Sequence, residues 1–251
     1  MTLKISPPYT DPKHLVSAIQ ERGYAVVSAD QCVDLLELRP QVTDAWTAEW
    51  NHLPTDTFLK DGGRYRRRRH SCFVVEGLGV QQVPHRAHWQ PLEYNALHGG
   101  MQRMFEAMSV DMAQSPAWAA LLNKLGGVCS ALKPATTTWF VEAHQFRIDT
   151  TDGIGRPTPE GAHRDGVDFV AVMLVSRHGI KGGETRVFEV NGPAGQRFTM
   201  TEPWTLLLLD DERVIHESTP IQPIDAVGSG SSYRDTLVLT FRAKAFQGEE
   251  A

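Results

Sequence analysis

The chain has 251 residues, of which 41% are hydrophobic and 22% charged, and its formal net charge at pH 7 is -5. This composition is typical of a soluble globular protein and argues against a disordered or fibrous class. The negative balance also argues against a surface built as a whole to neutralise nucleic-acid phosphates, although a local basic patch is compatible with it.

Cysteine usage and hydropathy indicate a reducing, aqueous compartment. The cysteines Cys32, Cys72 and Cys129 are widely separated, and none has the Cys-x-x-Cys spacing that would indicate zinc or a redox pair. The first ten residues, MTLKISPPYT, contain no apolar signal-peptide core, and the longest apolar runs are too short to cross a bilayer. We therefore expect a cytoplasmic protein without a membrane partner.

Helix signals dominate the first part of the chain. Asp11 is a suitable N-cap before Pro12, and Gly23 follows the end of the first helical stretch. A second stretch over residues 30–50 is expected to kink or split at Pro40. YAVVSAD, directly after the first helix, is a short strand candidate.

Two further segments carry apolar residues at helical spacing. LEYNALHGGMQRMFEAMSVDMAQ is one of them, and SPAWAALLNKLGG adds a serine cap, a first-turn proline and a terminal glycine pair. Residues 1–137 are therefore predicted to be mostly helical.

From about residue 138 the pattern changes to short runs of β-formers separated by Gly, Pro and Asp. No segment between them is long enough for a helical crossover, so a sandwich or closed barrel is expected. We predict one domain over residues 1–251, mainly β with α, in which residues 138–246 form the β-core and the N-terminal helices pack on its outside.

The segment PEGAHRDGVDFVAVMLV places His163 and Asp165 two residues apart before an apolar run. In an extended segment, both side chains leave the same face and can converge on one point. The best third ligand is His216, which follows the apolar run WTLLLL. Two imidazoles and one carboxylate form the facial triad of non-haem Fe(II) oxygenases. A structural zinc site would close its fourth position instead.

A His-x-Asp pair alone does not require a metal, because it is common by chance and could equally be a structural accident or a charge relay. The ordered occurrence of further motifs is the stronger indication. GIKGGETRVFEV has a glycine turn before Thr185, and HESTP contains His216. YRDTLVLTF places Arg234 at the mouth of the last strand, with Thr236 on the same face.

In their order, HRD, GGET, HESTP and RDT resemble the Fe(II)/2-oxoglutarate-dependent dioxygenases. More narrowly, VEAHQFRI, PTPEGAHRDGVDFVAV and LLLDDERVIHESTPI look like the branch that contains the bacterial L-isoleucine hydroxylases and the BsmA-type biofilm and stress proteins. The resemblance covers residues 138–243, with a weaker similarity in the N-terminal part. It implies a double-stranded β-helix, which is a jelly-roll or cupin-like barrel.

The resemblance also implies a role for each matching residue. His163, Asp165 and His216 would hold Fe(II). Arg234 would pair with the distal carboxylate of the co-substrate 2-oxoglutarate, a role that suits a planar, permanently charged guanidinium. Thr185 matches a threonine that donates a hydrogen bond to the co-substrate in some relatives, and a simple strand-start hydroxyl is an equal alternative.

The spacing after His216 departs from the family's pattern. The arginine usually follows the second histidine more closely than Arg234 does, so DAVGSGSSY is interpreted as an inserted loop. Arg242 lies on the same strand face as Arg234 and is the alternative partner of 2-oxoglutarate.

Substrate recognition has several candidates. DGGRYRRRRHS carries Arg64 and the run from Arg66 to Arg69, for which we weigh a solvated or structural loop, a substrate carboxylate site as the family suggests, and a nucleic-acid contact. Gln145 and Arg147 are expected to face the barrel interior, and His144 to face away.

Four other polar residues flank the motifs. Arg164 and Asp168 could bind substrate or form structural salt bridges. Asp210 or Asp211 could orient a histidine ligand, but a solvated turn pair is favoured for them.

We expect an enzyme that uses Fe(II), 2-oxoglutarate and dioxygen to hydroxylate a C–H bond of a free L-amino acid or a small amino-acid derivative. Two alternatives stay open. One is a non-catalytic, cupin-like metal-binding protein with a stress or biofilm role. The other is a nucleic-acid-directed dioxygenase, which the negative net charge disfavours. The sequence leaves the oligomeric state and the hydroxylated carbon undetermined.

Overall fold

The computed structural model describes residues 5–224 and 232–248. Its helices all lie in the first part of the chain. Five are α-helices: α1 (Leu15–Arg22), α2 (Ala29–Leu35), α3 (Pro40–Glu49), α4 (Val110–Ala113) and α5 (Pro116–Leu132). Two short 3-10 helices cover Pro12–His14 and Trp50–His52.

The helix signals near the N-terminus operate as predicted. Asp11 accepts a hydrogen bond from the backbone N–H of Lys13, and Gly23 ends α1 in the left-handed conformation at φ 79°. The predicted split at Pro40 is confirmed, because α2 ends at Leu35 and Pro40 begins α3.

Two helix predictions are wrong. The segment that begins LEYNALHGG consists mostly of turns and forms a helix only at α4, since its chain is fixed by backbone pairing between His88 and Arg103. The glycine pair at Gly126 does not end α5, which continues to Leu132. A Cβ atom at Gly126 would lie 3.1 Å from Val75, so this glycine permits close packing of the helix on the sheet.

Twelve strands are described: β1 (Tyr24–Val27), β2 (Arg66–Glu76), β3 (Gly79–Gln82), β4 (Thr138–Asp149), β5 (Phe169–His178), β6 (Ile180–Gly182), β7 (Thr185–Glu189), β8 (Gly195–Phe198), β9 (Leu206–Asp210), β10 (Val214–Ser218), β11 (Ile221–Pro223) and β12 (Tyr233–Arg242). They form antiparallel sheets of order β1-β9-β5-β12-β4-β2-β3, β10-β7-β8 and β11-β6. The mainly β fold with α is thus as predicted, although the described pairings leave the sheets open rather than closed into a ring.

The boundary between a helical part and a β-core is less sharp than expected. β1, β2 and β3 come from the first 137 residues and join the seven-stranded sheet. The run from Arg66 to Arg69, expected as a loop, lies in β2 and pairs with β4. Residues 225–231 of the expected inserted loop lie outside the described residues.

The two faces of the seven-stranded sheet differ in chemistry. On one face, Leu237, Leu239 and Phe241 of β12 pack against the helices in a core that includes Trp50 and Trp118. The alternate residues of β12 turn to the opposite face, toward the smaller sheets, and they include Arg234, Thr236 and Thr240. Helix packing therefore fixes which side chains face the interior of the β-helix.

None of the described helices combines the length and the apolar character needed to cross a bilayer. The cytoplasmic location and the single-domain organisation stay predictions.

Candidate metal centre and its cavity

His163, Asp165 and His216 converge as the sequence predicts. Nε2 of His163 lies 3.6 Å from one carboxylate oxygen of Asp165, and Nε2 of His216 lies 3.8 Å from the other. All three side chains are largely buried, with exposures of 11%, 16% and 11%. These separations allow one cation to contact all three groups at once.

Backbone pairing sets the position of the two histidines. His163 and His216 exchange N–H to carbonyl hydrogen bonds of 3.1 and 2.9 Å, which join the loop before β5 to β10. Nδ1 of His163 lies 2.9 Å from the carbonyl oxygen of Gly161 and donates to it, since a carbonyl can only accept. When this imidazole is neutral, its Nε2 therefore carries the lone pair that a metal ligand needs.

Asp211 fixes the loop that carries Asp165. Its carboxylate accepts the backbone N–H groups of Asp165, Gly166 and Val167 at 3.0, 2.8 and 3.1 Å, and it is only 1% exposed. The expected solvated turn is therefore wrong for Asp211, which orients the loop of Asp165 rather than a histidine. Gln90 donates from its side-chain amide to Asp165 at 3.2 Å and restrains the same carboxylate.

The electrostatics of the site centre on Asp165. Burial disfavours charge at each group, but the hydrogen bond and charge of His163 hold the pKa of Asp165 well below its usual range. Burial likewise opposes protonation of His163, yet Asp165 and Glu160 raise the pKa of this imidazole to about 10. Burial and the charge of His163 lower the pKa of His216 to about 4. A dication would compete with the proton on His163, as at any metal site with imidazole ligands.

The three side chains lie in a cavity between the seven-stranded sheet and the smaller sheets. Its polar lining is Arg66, Arg68, His88, Gln90, Asn95, Arg103, Glu142, His144, Thr158, Glu160, His163, Asp165, His216, Ser218, Arg234, Thr236, Thr240 and Gln247. The apolar lining includes Phe146, Ile148 and Val172.

Arg234 lies in this cavity and is 4% exposed. Its Nε has no hydrogen-bond partner among the described residues. Burial and the neighbouring charge of Arg177 lower the pKa of Arg234 to about 10. Gly183 of the GGET motif leaves space for the side chains of Arg177 and Arg234, because a Cβ atom at this position would lie 3.0 Å from Arg177 and 3.7 Å from Arg234. An anion in this position would relieve the repulsion between the two guanidiniums.

The other two candidates for the co-substrate lie elsewhere. Arg242 donates to the carbonyl oxygens of Ala245 and Phe246, and it lines a separate surface depression rather than this cavity. Thr185 is buried at the start of β7 and its hydroxyl has no partner among the described residues, but it is not part of the cavity lining.

Known proteins resemble the chain over nearly its whole length. The profile of the 2-oxoglutarate-Fe (2OG-Fe) dioxygenases matches residues 47–240. A BsmA homolog from Methylobium petroleophilum is 48% identical, and the match covers 98% of each chain with a TM-score of 0.91. The chain belongs to the 2OG-Fe dioxygenase family. It is therefore an enzyme that uses Fe(II), 2-oxoglutarate and dioxygen, as predicted.

More distant structures support the fold of the dioxygenase. IDO from Bacillus thuringiensis is 15% identical over 98% of this chain and 100% of that chain, with a TM-score of 0.73. The Fe(II)/α-ketoglutarate-dependent dioxygenase TqaL is 20% identical over 94% of this chain and 88% of that chain, with a TM-score of 0.70. The expected jelly-roll fold is confirmed by this likeness. Among curated proteins, no sequence matches this one significantly.

The donor set of the dioxygenase cavity fits its cofactors. Two imidazoles and a carboxylate, with a lone pair directed from His163, suit Fe(II) and leave positions free for oxygen ligands. The buried guanidinium of Arg234, whose Nε has no hydrogen-bond partner among the described residues, suits the second carboxylate of 2-oxoglutarate.

The arginine run divides between two environments because β2 alternates. Arg66 and Arg68 face the cavity and are almost fully buried. Arg64, Arg67 and Arg69 lie outside it and pair with Asp152, Asp149 and Glu106, respectively. Two arginines of the run, Arg66 and Arg68, therefore line the cavity.

Arg68 and Arg103 are buried cations without a carboxylate of their own. Arg66 pairs with Asp56 at 2.7 Å, but no described carboxylate forms an ion pair with Arg68 or Arg103. Arg68 lies over the ring of Phe105 at 3.7 Å. Nε of Arg68 and Nε of Arg103 have no hydrogen-bond partner among the described residues.

The predicted orientation of β4 is wrong. Glu142, His144 and Phe146 line the cavity, whereas Arg147 lies on the opposite face and pairs with Asp235 at 2.7 Å. Gln145 is also on that opposite face, next to Met112 of α4. Trp139, Val141 and Ala143 pack against the helices, and this apolar alternation sets the phase of the strand.

Arg164 and Asp168 lie outside the cavity lining. Asp168 forms a salt bridge with Lys133 and accepts the backbone N–H of Ala243, which is the structural role weighed for it. Arg164 lies over the ring of Tyr94, with its guanidinium 5.4 Å from the ring centre.

Proposed function

We propose that this dioxygenase hydroxylates a C–H bond of a free L-amino acid or a small amino-acid derivative. In this proposal His163, Asp165 and His216 hold the iron, and Arg234 binds the distal carboxylate of 2-oxoglutarate. The observation that carries the substrate class is the pair of buried guanidiniums of Arg68 and Arg103 in the same cavity, which form no ion pair with a described carboxylate and whose Nε atoms have no hydrogen-bond partner among the described residues.

Two separate cationic positions imply two anionic groups. Arg234 is on β12 beside Arg177, whereas Arg68 is on β2 and is packed between Phe105 and Phe146. A buried charge without a partner is costly, so each position favours a carboxylate. 2-Oxoglutarate would supply one, and the substrate would supply the other at Arg68 and Arg103.

The bound iron supplies the oxidising chemistry of the family, and the chain supplies orientation and exclusion of water. Asp211 and Gln90 hold the carboxylate of Asp165 in place, and Gly161 holds the imidazole of His163. Phe146, Ile148 and Val172 add apolar walls beside these polar groups. Thr236 lines the cavity two residues after Arg234, while a co-substrate role of Thr185 stays a prediction.

The two alternative functions receive less support. A non-catalytic metal-binding role conflicts with membership of a dioxygenase family. A nucleic-acid-directed role would need the arginine run at the surface, but Arg66 and Arg68 are buried. A stress or biofilm role and the isoleucine hydroxylase branch stay predictions.

The test is a panel of free L-amino acids and small derivatives with Fe(II), ascorbate and 2-oxoglutarate. We expect one compound to accelerate succinate release and to gain the mass of one oxygen atom. His163→Ala is the matched control and should abolish both signals. If no compound of the panel accelerates succinate release, the substrate proposal is wrong.

A further inference from the structure

A second histidine-carboxylate cluster lies in the wall of the same cavity. It consists of His70, His88, Glu142 and His144, which we call the Glu142 network. One oxygen of Glu142, Oε2, accepts hydrogen bonds from Nε2 of His70 at 2.8 Å and from Nδ1 of His88 at 2.7 Å. All four residues are buried, and all but His70 line the cavity.

The hydrogen bonds of the network argue against a second metal ion. Nδ1 of His144 lies 2.7 Å from Nη2 of Arg68. A guanidinium can only donate, so Nδ1 accepts and the proton of neutral His144 resides on Nε2. Nε2 is the atom that faces Glu142, at 3.9 Å. A protonated nitrogen cannot be a metal ligand.

Distances and charge support the same conclusion. Ligand atoms around a tetrahedral metal with bonds of about 2.0–2.1 Å are separated by roughly 3.3 Å. The two contacts of Glu142 are shorter, at 2.8 and 2.7 Å, as in hydrogen bonds. A dication in this position would also lie near Arg68 and Arg103, whose charges have no carboxylate partner among the described residues.

The network instead presents an anion and an acceptor to the cavity. Burial opposes ionisation of Glu142, but His88 and His70 hold its pKa well below its usual range. Burial lowers the pKa of His88 to about 4, so this ring is a neutral donor. A carboxylate has about four acceptor sites, so Oε1 of Glu142 retains acceptor capacity. Because Nδ1 of His88 donates to Glu142, its Nε2 carries a lone pair.

We propose that Glu142, supported by His70 and His88, is the site for the ammonium group of the substrate. The substrate is then an α-amino acid with a free, charged amino group, because Arg68 and Arg103 lie beside Glu142 and receive the carboxylate of the same carbon. This inference rests on the function proposed above and adds the requirement for an unblocked amine.

Glu160 is the competing carboxylate in the cavity. Its Oε1 lies 3.5 Å from Nε2 of His163, and its Oε2 is buried without a partner among the described residues. An ammonium group at Glu160 would lie against the iron ligand. The experiment must therefore separate Glu142 from Glu160.

The experiment compares each compound of the panel in three forms: the free α-amino acid, its N-acetyl derivative and the deaminated acid with the same side chain. The measured quantity is kcat/KM for succinate release by the Fe(II) enzyme. For wild type we expect the free form to exceed both other forms by on the order of 100-fold, since the buried Oε1 of Glu142 is left without a donor when the ammonium is missing.

Three Glu→Gln variants locate the site. Glu142→Gln should lose the preference for the free form over the deaminated form, with an unchanged KM for 2-oxoglutarate. Glu160→Gln should keep the preference, whatever its absolute rate. Glu76→Gln, at the exposed end of β2, should match wild type. The preference is a ratio, so general damage to the fold by Glu142→Gln would lower both rates and leave it unchanged.

Each outcome has one meaning. Loss of the preference in Glu142→Gln alone supports the proposal. If wild type converts the N-acetyl or deaminated compounds as fast as the free form, the inference is wrong but the hydroxylase function stands. Loss of the preference in Glu160→Gln would have the same meaning. If no form of any compound accelerates succinate release, the proposed function and this inference both fail.

Discussion

The cavity contains two histidine-carboxylate clusters of similar composition and different internal geometry. In the triad of His163, Asp165 and His216, the nitrogen atoms stand 3.6 and 3.8 Å from the carboxylate oxygens. In the Glu142 network, two nitrogen atoms approach one oxygen to 2.8 and 2.7 Å. The first spacing leaves room for a cation between the groups, and the second is that of hydrogen bonds.

The surroundings of each cluster determine this difference. A backbone carbonyl accepts from Nδ1 of His163 and leaves a lone pair on Nε2. The guanidinium of Arg68 donates to Nδ1 of His144 and leaves a proton on Nε2. In these two histidines, the hydrogen-bond partner of Nδ1 therefore decides whether Nε2 can bind a metal or only donate a hydrogen bond.

The largest expected effect comes from breaking the triad. Asp165→Ala should abolish iron binding and succinate release, because it removes the carboxylate that would bind the iron cation together with the two histidines. Glu142→Gln, the corresponding change in the network, should retain iron. Iron content by elemental analysis after desalting measures both, and loss of iron in Glu142→Gln with retention in Asp165→Ala would reverse the assignment.

The next effect concerns the co-substrate. Arg234→Met should raise the KM for 2-oxoglutarate by on the order of 100-fold, since it removes a buried partner of a carboxylate. Arg242→Met is the matched control and should leave that KM unchanged, because Arg242 lies outside the cavity lining. Steady-state kinetics with 2-oxoglutarate as the varied substrate decides between the two arginines.

A smaller effect is expected from the residue that positions Asp165. Asp211→Ala should weaken Fe(II) affinity by roughly 10- to 100-fold, as found for outer partners of metal ligands. The neighbouring Asp210→Ala should have little effect, because the carboxylate of Asp210 accepts the local N–H of Glu212 and forms no hydrogen bond with the described loop of Asp165. Competition for Fe(II) with a chelator of known affinity measures the change, and equal affinities of the two variants would contradict the role of Asp211.

The smallest effect is the contribution of His88 in the Glu142 network to the pH dependence of stability. The pKa of His88 is about 4 in the folded protein, below the unfolded value of about 6.5. The neutral form is therefore favoured by folding, and its contribution is present above pH 6.5 and lost as the pH falls toward 4.

At pH 5 this loss amounts to about 2 kcal/mol, from 1.5 pKa units at about 1.36 kcal/mol each. His88→Gln keeps an N–H donor for Glu142 but cannot titrate. Urea unfolding at pH 7 and pH 5 should therefore show a smaller loss of stability in His88→Gln than in wild type. An equal loss in both proteins would show that His88 is not held neutral.

The sequence was sufficient for the fold and for the convergence of the triad because both depend on local patterns. The continuous apolar run after His163 and Asp165 marks β5, and the spacing of His163 and Asp165 fits one face of an extended chain. The order of the motifs supplied the third member, His216, and also Arg234.

The sequence was insufficient for the opposite wall of the cavity. Arg103 lies in the segment 92–114, which the spacing of its apolar residues predicts to be helical, and His88 and Gln90 directly precede it. Backbone pairing between His88 and Arg103 holds this part of the chain instead. The phase of β4 depends on which side chains the helices cover, and this is a tertiary property. Asp211 looked like a turn residue because its three backbone donors are distant in sequence.

The most direct test of the two clusters is the metal stoichiometry of the protein. Anaerobic titration with Fe(II) in the presence of 2-oxoglutarate should give one tightly bound ion per chain in wild type and in Glu142→Gln, and none in His163→Ala. Two tightly bound ions in wild type, with one remaining in His163→Ala, would show that the Glu142 network binds metal and would contradict its assignment as an organic-ligand site.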